Sequence, residues 1–237
     1  MARARVPKKY HHGDLRQALI QATLGLVEEH DVSAVSLREV ARRAGVSPGA
    51  PYHHFKDKSE LLAVVAEQGF HACEAAMDAA LSGPARGVFE QLDALGEGYL
   101  HFATGHPSHY RVMFHLPLAD PMLYPERAAA ADRAMARLTD VVRKIEGLSA
   151  QEVERWALAF WSFSHGLASL WIEGPLRHKL PTLQPFASQM LGTVARAAFK
   201  PTAVKGKPGA GTQKSAGLRA DKSLRGPVRR SPRAPRK

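Results

Sequence analysis

The chain has 237 residues, of which 45% are apolar, and a formal net charge of +11. That apolar share is enough to bury a core, which excludes a chain disordered throughout. A single cysteine, Cys73, excludes an internal disulfide and a cysteine-rich zinc site, and makes the reducing cytosol the expected compartment. His11, His12 and Asp14 stand where a signal peptide would carry its apolar segment, and the longest apolar run, residues 61–66, is far short of the ~20 residues that span a bilayer. Neither export by that route nor a membrane helix is expected.

The charge is unevenly spread. Residues 1–60 hold 10 Lys/Arg against 7 Asp/Glu, residues 61–200 hold 12 against 14, and residues 201–237 hold 11 against 1. The last segment, rich in Gly, Pro and Ala and without aromatic residues, is expected to be a disordered basic tail. A polyanionic partner fits this balance, although such ends are often simply solvated.

From residue 14 to 200 the apolar spacing is helical almost throughout, so the fold class is all-α with about nine helices. The first helix is expected over residues 14–30, with Leu15, Leu19, Ala22 and Leu26 on one stripe. A short second one begins at Ser36, whose pairing with Glu39 is a capping-box pattern, and stops at Gly45. Ser47 followed by Pro48 is a helix start, and Pro51 one turn on limits that helix to residues 48–55. Two short helices separated by Gly45 and the apolar Val46 have the spacing of a helix-turn-helix. The second would be the reader: small at the front (Gly49, Ala50), with Tyr52, His53 and His54 behind, so that backbone can approach base edges while aromatic and imidazole groups reach phosphates.

A long helix is then expected over residues 57–81, followed by helices at 86–104, 107–114, 119–146, 150–173 and 182–199. The last two carry broad apolar faces, enough to pack on the body and leave a face for a second subunit.

The stretch "SLREVARRAGVSPGAPYHHFKDKSELL" resembles the DNA-binding segment of the tetracycline-repressor (TetR) family of bacterial one-component transcription regulators. The matching residues are Ala41, Ala44, Gly45, Val46, Tyr52, Phe55, Lys58 and Leu61, with Pro51 where a leucine-like residue is more usual. The resemblance implies that Tyr52 and Lys58 bind phosphates, that Arg38 and the face of Gly49, Ala50 and His53 approach bases, and that Ser36 and Ser47 cap helices and touch the DNA backbone. Pro48 and His54 belong to the same expected surface. "YHHGDLRQAL" and "HPSHYRVMF" resemble the first and sixth helices of a subgroup. "WSFSHGLASLWIEG" resembles its Trp-His-Gly signature, carried by Trp161, His165 and Gly166.

Tyr99, Phe102, Tyr110, Met113, Phe114, Trp161 and His165 are candidates to line an effector cavity, although any core would use such residues. His101, His106, His109 and His115 are the best metal candidates, yet no carboxylate or cysteine accompanies them closely and Pro107 interrupts their helix. Adjacent His53 and His54 point about 100° apart on a helix and make a poor chelate. No catalytic triad, paired carboxylates or phosphate-binding glycine loop is evident.

The expected protein is a homodimeric, ligand-responsive repressor and not an enzyme. It would have a three-helix head in residues 1–60, an effector-binding and dimerisation domain in 61–200, and the basic tail in 201–237. Its partners would be double-stranded DNA, a second copy and an unknown small-molecule effector, with no cofactor, metal or membrane. The alternatives are a small metal-dependent enzyme using the four histidines, or a non-specific architectural DNA binder working through the tail.

Overall fold

The computed structural model describes residues 12–83, 87–115, 120, 122–183, 193–194 and 196–197; among them are seven complete α-helices and two 3-10 helices, residues 193–194 and 196–197 are helical too, and no strand occurs. The chain begins with α1 (His12–Glu29), a 3-10 helix (Val32–Ala34) and α2 (Leu37–Ala44). A second 3-10 helix (Ala50–His53), α3 (Lys58–Leu81) and α4 (Val88–Gly105) follow. The remaining elements are α5 (Pro107–Met113), α6 (Pro125–Val142) and α7 (Ala150–Ile172).

Polar side chains fix where several helices start. The Ser36 hydroxyl accepts from the Glu39 N–H at 3.2 Å, Asp57 accepts from the Glu60 N–H at 2.9 Å, and Ser149 and Glu152 close a reciprocal capping box. Each satisfies a first-turn donor that has no partner within its own helix. Gly45 ends α2 at φ 71, the left-handed region that a side chain disfavours, while the N–H of Val46 folds back onto the Ala41 carbonyl at 3.0 Å.

Three boundaries differ from the sequence reading. Residues 48–55 form no α-helix: Ala50 N–H bonds Ser47 O and Tyr52 N–H bonds Gly49 O, three residues back, in a 3-10 pattern. Pro48 and Pro51 each remove a backbone donor from this stretch, and Pro51 has no N–H to close an α-turn onto Ser47. The N-cap of this element is Gly49, with no side-chain cap bond, so Ser47 contributes its carbonyl and not its hydroxyl. Helix α6 begins at Pro125 rather than near 119, because proline sits well at a first helical position while Tyr124 before it (φ −135, ψ 66) is not helical. It ends at Val142, ahead of a turn with Gly147 at φ 83. The helix expected over 182–199 and the tail at 201–237 lie largely or wholly outside the described residues.

Helix α3 is the spine. It packs against α4, α5 and α6, while α7 covers α4 and α6, and α1 touches α2 and α5. Gly98 lets α4 come close: a Cβ there would lie 2.8 Å from the Ala76 carbonyl oxygen of α3. One apolar cluster runs from Leu19, Ile20 and Leu26 of α1 through Leu61, Leu62 and Phe70 of α3 to Val153 and Ala168 of α7.

Candidate nucleic-acid interface and buried cavity

At the N-terminal end, α2 buries Leu37, Val40 and Ala41 and exposes Arg38 and Arg42. Two of its three arginines are engaged: Arg42 with Glu39 one turn back, and Arg43 in a two-pronged bond to Glu29 of α1, at 2.6 and 2.7 Å. Arg38 is exposed and has no ion pair among the described residues. Beyond the turn, Pro51 and Phe55 are buried; Pro51 thus fills the apolar slot beneath the second element. Arg16 of α1 lies over the Phe55 ring at 5.4 Å and clamps that element to α1. Ser47, Pro48, Gly49, His53 and Tyr52 (62% exposed) face solvent, and Ala50 and His54 are half-buried.

Lys58 has partners within the chain. Its Nζ donates to the carbonyls of Val32 at 3.1 Å and Ser33 at 3.3 Å, and so ties the start of α3 to the loop between α1 and α2. Burial lowers its pKa below the ordinary lysine value, against the opposing pull of Asp31. Lys56, exposed in the turn just before α3, is a cation that the sequence reading passed over; its place follows from the end of the preceding 3-10 helix.

The second feature is a cavity of about 310 Å³ bounded by α3, α4, α5, α6 and α7. Of the seven residues expected to line it, Tyr99, Met113, Phe114 and Trp161 do so. Phe102 is buried elsewhere, against His106, and Tyr110 and His165 stand one layer behind. That layer is a polar chain in an apolar setting. The Tyr99 hydroxyl is 3.0 Å from His165 Nδ1, while the Tyr110 hydroxyl lies 2.9 Å from the same nitrogen, 3.0 Å from the His165 carbonyl and 2.8 Å from Ser169 Oγ. Three protons account for three of these four contacts: Tyr99 donates to Nδ1, Tyr110 donates to the carbonyl, and Ser169 donates to Tyr110. Burial lowers the His165 pKa and raises those of both tyrosines, so the chain is neutral. Phe114 meets the His165 ring edge-on at 4.4 Å, and Trp161 lies 5.3 Å from it.

Sequence reasoning missed most of the cavity wall, including Phe70, Met77, Met135 and Phe160, and above all Arg127. Helical spacing marks the apolar ones as core but cannot say that they border a void. Among the described residues no group of three or more His, Cys, Asp or Glu could hold a metal. The four candidate histidines are strung along two helices and their ends: His101 and His106 are exposed, and only the His106 and His109 rings meet, at 5.9 Å. No helix among the described residues is long and apolar enough to cross a membrane.

A helix-turn-helix head joined by one long helix to a helical body with a cavity among its helices is the architecture of a one-component transcription regulator. Residues 19–65 match the family described as bacterial regulatory proteins, tetR family, and residues 92–194 match the tetracyclin repressor-like C-terminal domain. The chain belongs to the TetR family of helix-turn-helix transcription regulators. Over 54 residues it is 44% identical to the HTH-type transcriptional regulator AcrR of Shigella flexneri, a match covering 23% of this chain and 25% of that protein. The chain thus spans about a quarter of the length of the curated relatives it matches. Among solved structures, a Rhodococcus sp. RHA1 protein of unknown function is 28% identical, with a TM-score of 0.65 over 79% of this chain and 98% of the other. A Rhodococcus RHA1 regulatory protein in the tetR family, 21% identical with a TM-score of 0.63, covers 77% and 95% and shares the fold.

Proposed function

We propose that the protein is a cytoplasmic, homodimeric repressor that binds a two-fold-related DNA operator through its heads and releases it when a small molecule enters the body. The observation that carries this reading is the free face of the head. Arg42 and Arg43 are committed to carboxylates, while Arg38, Ser47, Gly49, Tyr52 and His53 are exposed to solvent. Gly49 supports it: its φ of −82 suits any residue and a Cβ would meet nothing, so its smallness serves no packing need within the chain. Close approach of backbone to a base pair would supply that need.

In this reading Arg38, Gly49, Ala50 and His53 face bases, and Ser36, Ser47, Pro48, Tyr52, His54 and Lys56 face the phosphate backbone. Lys58 would face the same backbone with the ammonium donor that Val32 and Ser33 leave over. A second copy would dock on α7, where Leu158 and Leu170 are 54% and 47% exposed beside half-buried Phe163 and Trp171. Helix α3 runs from the head to the cavity wall at Phe70, Cys73 and Met77, which makes it the element through which a ligand would act on the head. Selection of bound duplexes from a random pool tests the proposal. An inverted repeat is expected, with Arg38→Ala relaxing preference at particular base pairs; absence of any sequence preference would overturn it.

A further inference from the structure

We propose that the effector is a small apolar monocarboxylate and that Arg127 is the residue that holds its carboxylate. The inference rests on reading the cavity as the sensing site and supplies the chemistry of what enters it.

The cavity wall is mainly apolar, and nearly every polar group in it is already satisfied from within. Cys73 Sγ lies 3.9 Å from Met77 Sδ, the Ser164 hydroxyl donates to the Phe160 carbonyl at 3.0 Å, and Tyr99 is engaged with His165. Arg127 is different. One terminal nitrogen donates to the Met113 carbonyl at 2.8 Å and the guanidinium lies 5.2 Å from the Phe70 ring centroid, but its Nε is buried and has no acceptor. No carboxylate pairs with it among the described residues; Asp132, also on the cavity wall, is exposed and makes no ion pair with it.

The neighbours on α6 show what a structural arginine looks like at this helix. Arg133 faces Glu74 at 3.5 Å, and Arg137 bonds Glu74 and Asp78, each at 2.7 Å. Arg127 alone of the three borders the cavity, and it makes no ion pair with a carboxylate of α3. A buried guanidinium nitrogen without an acceptor is costly, and the group that answers it best is a carboxylate, which accepts two parallel N–H bonds. The cavity volume gives a minimum size. About 310 Å³ lies at the lower edge of small-molecule sites, and at ~30 Å³ per water-sized group it holds on the order of ten non-hydrogen atoms. Octanoate has that size and that chemistry.

The test is calorimetric titration of the full chain with octanoate and, separately, with 1-octanol, which keeps the apolar body and lacks the charge. Octanoate is expected to bind roughly ten- to a hundredfold more tightly, the range for a hydrogen bond to a charged group. In Arg127→Met that preference should collapse, while Arg127→Lys, which keeps the charge without the fork, should retain part of it. Equal binding of the two compounds, binding of neither, or a preference that survives Arg127→Met would overturn the inference. The comparison on the unaltered chain needs no variant to fold. Duplex selection on the same preparation separates the two readings: operator selection without octanoate preference defeats this inference alone, and octanoate preference without operator selection defeats the regulator reading alone.

Discussion

The head and the body resolve their polar groups in opposite ways. Around α2 and the start of α3, donors and acceptors close on one another: Ser36 and Asp57 cap helices, Arg43 grips Glu29, and Lys58 grips two carbonyls. In the body, the two buried side-chain atoms without a partner among the described residues are Asp93 Oδ1 and Arg127 Nε. Burial raises the Asp93 pKa against the pull of Arg196, and lowers that of Arg127. A head that satisfies itself presents one fixed surface. A body left with unspent hydrogen-bonding capacity is built to receive something.

The contrast can be broken most forcefully at the cores. Phe55 is 2% exposed and lies under Arg16, so Phe55→Ala should cost about 3–5 kcal/mol in urea unfolding. Phe160→Ala, which merely enlarges an existing cavity, should cost less; equal losses would mean that the body cavity collapses on its own. Next in size is Gly45→Ala, which forces a side chain into the left-handed region and should cost about 1–2 kcal/mol with operator affinity falling in step.

A smaller effect separates the regions by pH. His109 and His165, both in the body, are held below the ordinary imidazole value by burial, His109 also by His106. The unfolded chain therefore binds more protons, and stability is full above about pH 6.5 and is lost as pH falls through that value towards the lower folded one. Thermal melts at a series of pH values should show this loss, and His109→Gln/His165→Gln should flatten it; an unchanged slope would place the titration elsewhere. The smallest and most discriminating comparison is between two arginines. Arg43→Met removes a satisfied pair and should lower the melting temperature slightly. Arg127→Met removes an unsatisfied buried donor together with one bond to the Met113 carbonyl, and should shift it less than Arg43→Met does.

How much of this was legible in the sequence depended on whether the signal was local. Ser36, Gly45 and Asp57 announce their helix ends because capping chemistry involves neighbours along the chain. Pro51 announced a constraint but not its outcome: that a second missing donor turns the reading element into a 3-10 helix depends on hydrogen bonds competing over three and four residues. Lys58 stands in a family motif, yet its present partners are carbonyls more than twenty residues earlier. Arg127, Arg133 and Arg137 look alike in sequence, and only the position of Glu74 and Asp78 on a facing helix tells them apart. Tyr110 and His165 were chosen as lining residues because aromatic spacing cannot distinguish the wall of a void from the layer behind it.

All three tryptophans of the chain, Trp156, Trp161 and Trp171, lie on α7, and none lies in the head. Tryptophan emission is therefore a signal from one helix of the body, and Trp161, between the cavity, Phe114 and the neutral His165 ring, is the tryptophan placed to respond there. Duplex DNA touching only the head has no direct way to alter that emission. If adding operator shifts the tryptophan spectrum, the shift itself measures communication between the two ends of α3, without label, ligand or mutation.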